Sequence, residues 1–232
     1  MNGGNAAGQT PGRKGEGGNF STPLGSATDG RLLVAHRASR LTIRADPAME
    51  DLYSAYFERP VPTVEVRGGT VTVLYPRFRP FDWPNCYREY PAEVALNASI
   101  AWRIEVRDGA SRLTADLRGL QLGSLDLSDG VSRIEVALPR PLGIVPVRIL
   151  GGASNVAIRR PEGVPTRVRV GGGSTNLTFD EKHFGAVGSE VNLRSADYDG
   201  ASDRYDIAIT GGANNLTIEG ARPGRPAFAR GS

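Results

Sequence analysis

The chain has 232 residues, a formal charge of +3, one cysteine and two histidines. That length holds one domain of moderate size with tails, and a lone cysteine, Cys86, excludes an intramolecular disulfide framework or a cysteine-rich zinc site. Arg222, Arg225 and Arg230 account for the whole net charge. Residues 30–220 are therefore formally neutral, which is not the electrostatic footprint of a nucleic-acid binder.

Residues 1–29 are rich in Gly, Asn, Ser and Thr and read as a disordered tail. They contain no apolar h-region, so no signal peptide is expected, and no run approaches the ~18 apolar residues of a membrane span. Cytoplasmic localisation without membrane insertion is the simplest expectation. A first strand–turn–strand unit, LLVAHRASRLTI, begins at Leu32. ADPAMEDLYSAYFERP follows. Asp46 is an N-cap candidate and Pro47 a first helical residue, while Met49, Leu52, Tyr53, Tyr56 and Phe57 have the spacing of one helical face. A short N-terminal helix over 47–58 is predicted, either capping the stack or docking onto a partner. A second, less regular unit, VEVRGGTVTV, begins at Val64.

The segment 74–91, LYPRFRPFDWPNCYREYP, interrupts this pattern. It holds Tyr75, Phe78, Phe81, Trp83, Tyr87 and Tyr90 together with Arg77, Arg79 and Arg88, threaded with prolines that exclude a regular strand or helix. Aromatic and arginine side chains in this density are the material of binding hot spots. Two readings stand: a loop folded over the flank to bury its own rings, or a recognition surface. On the second, Arg77, Phe78, Arg79, Phe81, Trp83, Tyr87 and Tyr90 are the candidate binding residues for a protein partner.

From Ile104 onward one template recurs: IEVRDGASRLTA, LDLSDGVSRIEV from Leu125, VRILGGASNVAI from Val147, VRVGGGSTNLTF from Val168 and IAITGGANNLTI from Ile207. Counting the first residue as offset 0, the starts are 21, 22, 21 and 39 residues apart. A fixed period of this size is the signature of stacked repeats. Offsets 0, +2, +9 and +11 are apolar, and since +9 cannot share a strand face with +2, parity must be reset between them. Glycine at offset +5, preceded by Gly or Asp, supplies a corner. A segment near Val187–Leu193 would fill the double step. The prediction is an all-β, single-domain parallel β-solenoid of about eight rungs with a period of about 20–22 residues, ~35 Å long. It would occupy residues 30–220, with 221–232 a flexible basic tail. Ser, Thr and Asn at offsets +7 and +8 read as corner residues able to form ladders, and Asn97, Asn176 and Asn215 as structural and not glycosylated.

Chemistry-bearing constellations are sparse. His36 and His183 have no recognisable spacing with carboxylates or a nucleophile, and the GG pairs precede strands and so offer no helix dipole to an anion. Asp108 stacks over Asp129 at offset +4, but the next copies carry glycine, so both read as turn residues. No catalytic residue, metal ligand or cofactor is predicted. The leading reading is a non-enzymatic scaffold or protein-interaction module. A self-assembling structural solenoid, with the chain a homo-oligomer, is the alternative, and a polysaccharide-active β-helix enzyme ranks third.

The units GGASNVAI, GGSTNLTF and GGANNLTI resemble those of the adhesin-type "toastrack" β-solenoid domains of bacteria, over about residues 30–220. The resemblance implies a non-catalytic scaffold or sensor related to cell-envelope stress systems. It carries no catalytic residue over, and this chain departs from many such proteins in having no membrane segment. The bactofilin class, cytoplasmic solenoids that polymerise end to end, is a second resemblance.

Overall fold

The structure, a computed structural model, describes residues 8–10, 17–36, 38–76 and 91–221. These form strands in the order β1 (Gly8–Thr10), β2 (Gly18–Pro23), β3 (Asp29–Ala35), β4 (Ala38–Asp46), β5 (Asp51–Phe57), β6 (Thr63–Arg67) and β7 (Thr70–Leu74). After residue 90 come β8 (Pro91–Asn97), β9 (Ala101–Val106), β10 (Ala110–Asp116), β11 (Gln121–Ser128), β12 (Val131–Ala137), β13 (Ile144–Leu150) and β14 (Ala153–Pro161). The series closes with β15 (Thr166–Val170), β16 (Ser174–Phe179), β17 (Lys182–Val187), β18 (Val191–Arg194), β19 (Arg204–Ile209) and β20 (Ala213–Ala221).

The alternating pattern places one strand of each repeat in each of two sheets. One has eleven strands, ordered β1-β2-β5-β8-β4-β10-β12-β14-β20-β16-β17, and the other nine, ordered β18-β15-β19-β13-β11-β9-β3-β7-β6. Rungs β3–β4, β9–β10, β11–β12, β13–β14, β15–β16 and β19–β20 each contribute four inward side chains at offsets 0, +2, +9 and +11. Leu32, Val34, Leu41 and Ile43 form one such set, and Val147, Ile149, Val156 and Ile158 another, all essentially inaccessible. At ~1.5–3 kcal/mol for each large buried side chain, a rung gains this burial only when a neighbour covers it.

Each rung bends at a corner that keeps parity, as the buried Ile149 and Ala153, four apart, show, and resets parity once beyond it. At the first corner His36, Asp108, Asp129 and Gly151 at offset +4 have positive φ, as do Gly109, Gly130 and Gly173 at +5. The reset lies inside the following strand: Arg133, Asn155, Asn176 and Asn215 at offset +8 have φ between 52° and 55°. This left-handed residue bulges out, so that Ala153 and Val156 of β14, three apart, both face the core.

Spatial order departs from chain order. Rung β19–β20 lies between β13–β14 and β15–β16, and rung β7–β8 lies outside β3–β4. The double step of 39 residues is therefore not a skipped rung. The chain runs past one position, turns back through β17 and β18, which pair antiparallel with β16 and β15, and then fills the gap it left. At the other end β5 and β6 run antiparallel to β8 and β7, and β2 and β1 add further antiparallel strands beyond β5. Reversed strands thus close both ends, and the expected simple eight-rung parallel coil is corrected to a two-sheet stack with parallel middle and antiparallel ends.

Two further expectations are corrected. No helix covers 47–58. Asp46 Oδ1 does accept the Ala48 amide at 3.1 Å, but this opens a turn, and residues 51–57 continue as β5 with Leu52, Tyr53, Ala55 and Phe57 buried. Pairing on both sides, with β8 and β2, supplies what the isolated helix would lack. Nor is the stretch up to residue 29 without structure: β2 pairs with β5, and its Phe20 packs edge-on against Phe57 at 5.6 Å. Gly68 and Gly69 turn the β6–β7 hairpin and are not a corner.

Candidate functional site

Each rung crosses from the nine-stranded to the eleven-stranded sheet at one edge of the stack. In six rungs this crossing is a tight corner, as between Leu150 and Ala153 or Ile209 and Ala213. In the seventh it runs from Leu74 of β7 to Pro91 of β8. The aromatic–arginine segment is thus an insertion within a rung, at the place where the other rungs need two or three residues. Its two ends are fixed. Tyr75 is buried edge-on against Phe57 with ring centroids 6.2 Å apart, burial pushes its phenol well above the usual range, and His36 Nδ1 lies 3.0 Å from the Tyr75 carbonyl. Pro91 pairs with Arg40. The candidate residues themselves, Arg77, Phe78, Arg79, Phe81, Trp83, Tyr87 and Tyr90, lie outside the described residues.

The stacked corners use their polar groups on backbone. Asp108 accepts the His36 amide at 2.9 Å, and Asp129 the Asp108 amide at 3.3 Å, so both carboxylates serve the turn, as their spacing suggested. Asn97 is buried, its Nδ2 donating to the Met49 and Asp51 carbonyls at 2.8 and 2.7 Å. His183 stands in β17, its Nδ1 2.8 Å from Thr178 Oγ1.

On the opposite edge, where rungs return, a cleft of about 910 Å³ opens between the ends of β12, β14, β16 and β20. Its floor holds Arg160, only 4% exposed, which donates to both Asp180 oxygens at 2.9 and 2.7 Å and to Thr166 Oγ1 at 2.7 Å, beneath the Phe179 ring. Asp180 in turn accepts the Gly220 amide at 3.2 Å, tying the β16–β17 turn to β20. At the rim, Arg118 hydrogen-bonds Asp116, and this bond outweighs burial to hold the carboxyl below its usual range. Sequence reading missed this pair because Arg160 stands at offset +13, beyond the template. The signal was present: 156, 158 and 160 alternate inward, which makes Arg160 a charge aimed at the interior. Its hydrogen bonds all go to structural partners. Among the described residues no cluster of His, Cys, Asp and Glu could hold a metal, and no helix is long and apolar enough to cross a membrane.

This doubly closed stack has recognisable relatives. Residues 18–159 match the family described as the N-terminal domain of toast_rack, DUF2154, and the chain belongs to that family. The stack extends beyond the match, to residue 221. The crystal structure of a protein from Clostridium sporogenes described as a "putative cell adhesion protein" superposes with a TM-score of 0.63 at 15% identity, covering 89% of this chain and 100% of that one. At that identity the likeness establishes the fold alone. No curated protein sequence matches this chain.

Proposed function

We propose that this toast-rack chain is a non-enzymatic protein-interaction module whose recognition element is the insertion at 77–90. The observation behind this reading is its place: it replaces a tight corner in one rung, while the strands on either side, β7 and β8, keep their register with β3 and β4. An insertion of that kind leaves the stack intact and sits on a rigid edge, the usual arrangement for a binding loop on a scaffold. Family membership and the adhesion description of the structural neighbour point the same way. A role in envelope-stress signalling follows the family resemblance and belongs to this proposal.

A partner pull-down from native lysate tests the loop. It compares wild type with a Phe81→Ala/Trp83→Ala/Tyr87→Ala variant of matched thermal midpoint. Loss of one specific partner is expected; equal recovery would remove the insertion from the account. End-to-end self-assembly is disfavoured by the reversed strands closing both ends, of which β18 is four residues long. A mass that stays monomeric across concentration in light scattering is the expected result.

A further inference from the structure

Among the described residues the two sheets end on β1, β17, β18 and β6, and an edge strand leaves backbone groups without strand partners. β1 and β18 have three and four residues, and β17 is weakened by Gly185 in its interior. β6 differs from all three. Its sequence TVEVR has no Gly or Pro and alternates strictly: Val64 and Val66 are half-buried against the core, while Thr63, Glu65 and Arg67 are exposed.

The hairpin fixes where the backbone groups of β6 point. Gly68 and Gly69 have φ of 51° and 77° and form a two-residue turn, whose flanking residues Arg67 and Thr70 exchange both hydrogen bonds. Alternation then aims the amides and carbonyls of Thr63, Glu65 and Arg67 at β7, and those of Val64 and Val66 away from it. That open row, above two half-buried valines, specifies what covers it: another extended main chain. The facing sheet runs two strands further, through β2 and β1, so an added strand would lie opposite β2. Val61, which packs by Gly18 at the start of β2, is 37% exposed there. Glu65 sits between the valines on the outer face, bridged to Arg67 at 3.2 Å in an exposed pair that contributes little. A second copy of β6 paired antiparallel along its whole length would set Glu65 against its own counterpart, like charges directly opposite. A basic residue at that place is favourable instead.

We propose that β6 accepts an extended segment of a partner polypeptide as an added strand, apolar opposite Val64 and Val66 and basic opposite Glu65. This rests on the reading of the insertion as a recognition element and names the kind of segment its partner carries. Leu74, from which the insertion departs, is the direct partner of Thr63, so the start of β6 adjoins the insertion. A partner seated on the insertion can therefore continue along β6 at the end of the stack. Main-chain hydrogen bonds supply the attachment, and the alternating side chains supply the selectivity.

Amide hydrogen exchange on the full chain, read by NMR with and without saturating peptide TVKVT, tests the edge. Alone, the chain should protect the Glu65 and Arg67 amides and leave those of Val64 and Val66 open to exchange. The peptide should slow Val64 and Val66 about tenfold, the effect of one hydrogen bond on each group, and the comparator TVEVT should slow them less. Protection of Val64 and Val66 without peptide, by this chain's own residues or a second copy, would overturn the assignment. So would exchange unchanged by TVKVT, or slowed equally by TVEVT. Val66→Pro removes only an outward N–H and should keep a thermal midpoint near wild type, whereas Glu65→Pro breaks the bond to Thr72 and should lower it. The reverse order would contradict the edge. The two readings separate in the pull-down. If only strand addition fails, Val66→Pro recovers the partner while the aromatic variant loses it; if only the insertion fails, the reverse holds.

Discussion

Asn215 Nδ2 donates to Asn155 Oδ1 at 2.9 Å across 60 residues of sequence, while Asn215 Oδ1 accepts from Asn176 Nδ2 at 2.7 Å. The repeat that comes last in the chain is thus the middle member of the ladder. Each of the three asparagines also holds a left-handed backbone. Replacing Asn215 with alanine removes both contributions, and a loss of about 1–2 kcal/mol is expected in urea unfolding. Asn215→Gly, which keeps the backbone freedom, should cost less than Asn215→Ala. The order of the two variants is the check.

Gly211 makes a close backbone passage between rungs. A Cβ there would stand 2.6 Å from the Gly151 carbonyl carbon and 2.8 Å from the Gly152 nitrogen, all backbone. Gly211→Ala should destabilise by about 1–3 kcal/mol or more by forcing the corners apart. Gly185→Ala, on the edge strand β17 with open space around it, should be nearly neutral in the same thermal scan.

Arg160 and Asp180 form the ion pair beneath the return-edge cleft. Removing the carboxylate with Asp180→Ala leaves a buried cation, at an expected cost of about 2–4 kcal/mol. Arg160→Met, which removes the charge and keeps the bulk, should cost less. A chemical-denaturation series on both variants decides it.

Acid should weaken the fold through Asp206. Burial acts to raise its carboxyl, but hydrogen bonds and charge from Arg167 and Arg169 outweigh it and leave the group below its ordinary value. An acid depressed in the folded state stabilises above its unfolded pKa, about 3.9, and loses that contribution as pH falls through the folded value. The thermal midpoint should therefore fall below about pH 4, less steeply in Asp206→Asn. Glu105, held down by Arg31 and Arg107 against burial, keeps part of the slope in that variant.

The sequence makes the rungs legible and hides their order. Offsets 0, +2, +9 and +11 mark the core correctly because alternation reports burial directly, as Leu125, Leu127, Ile134 and Val136 show. Nothing in the local pattern says which rung a strand pairs with, because every rung presents the same edge, so the placement of β19–β20 is set by the antiparallel return through β17 and β18. The false helix has a local cause: Leu52, Tyr53, Tyr56 and Phe57 satisfy helical spacing, while Tyr53, Ala55 and Phe57 satisfy strand alternation equally well. Pairing with β8 and β2 decides between them. For the proposed recognition surface, the aromatic density of 74–91 is visible in the sequence, but its position inside a rung requires knowing that Gly68 and Gly69 turn a hairpin.

The corner edge, with its insertion and asparagine ladder, depends on the order in which the rungs stack. Cysteine cross-linking in a Cys86→Ser background reads that order. Ser154→Cys with Asn214→Cys joins direct partners on adjacent strands, at a separation that suits a disulfide. Ser154→Cys with Thr175→Cys joins repeats consecutive in the chain, but β20 stands between their strands, β14 and β16. Under mild oxidation the first pair should close and the second should stay reduced. Closure of the second pair with failure of the first would contradict the stack described above.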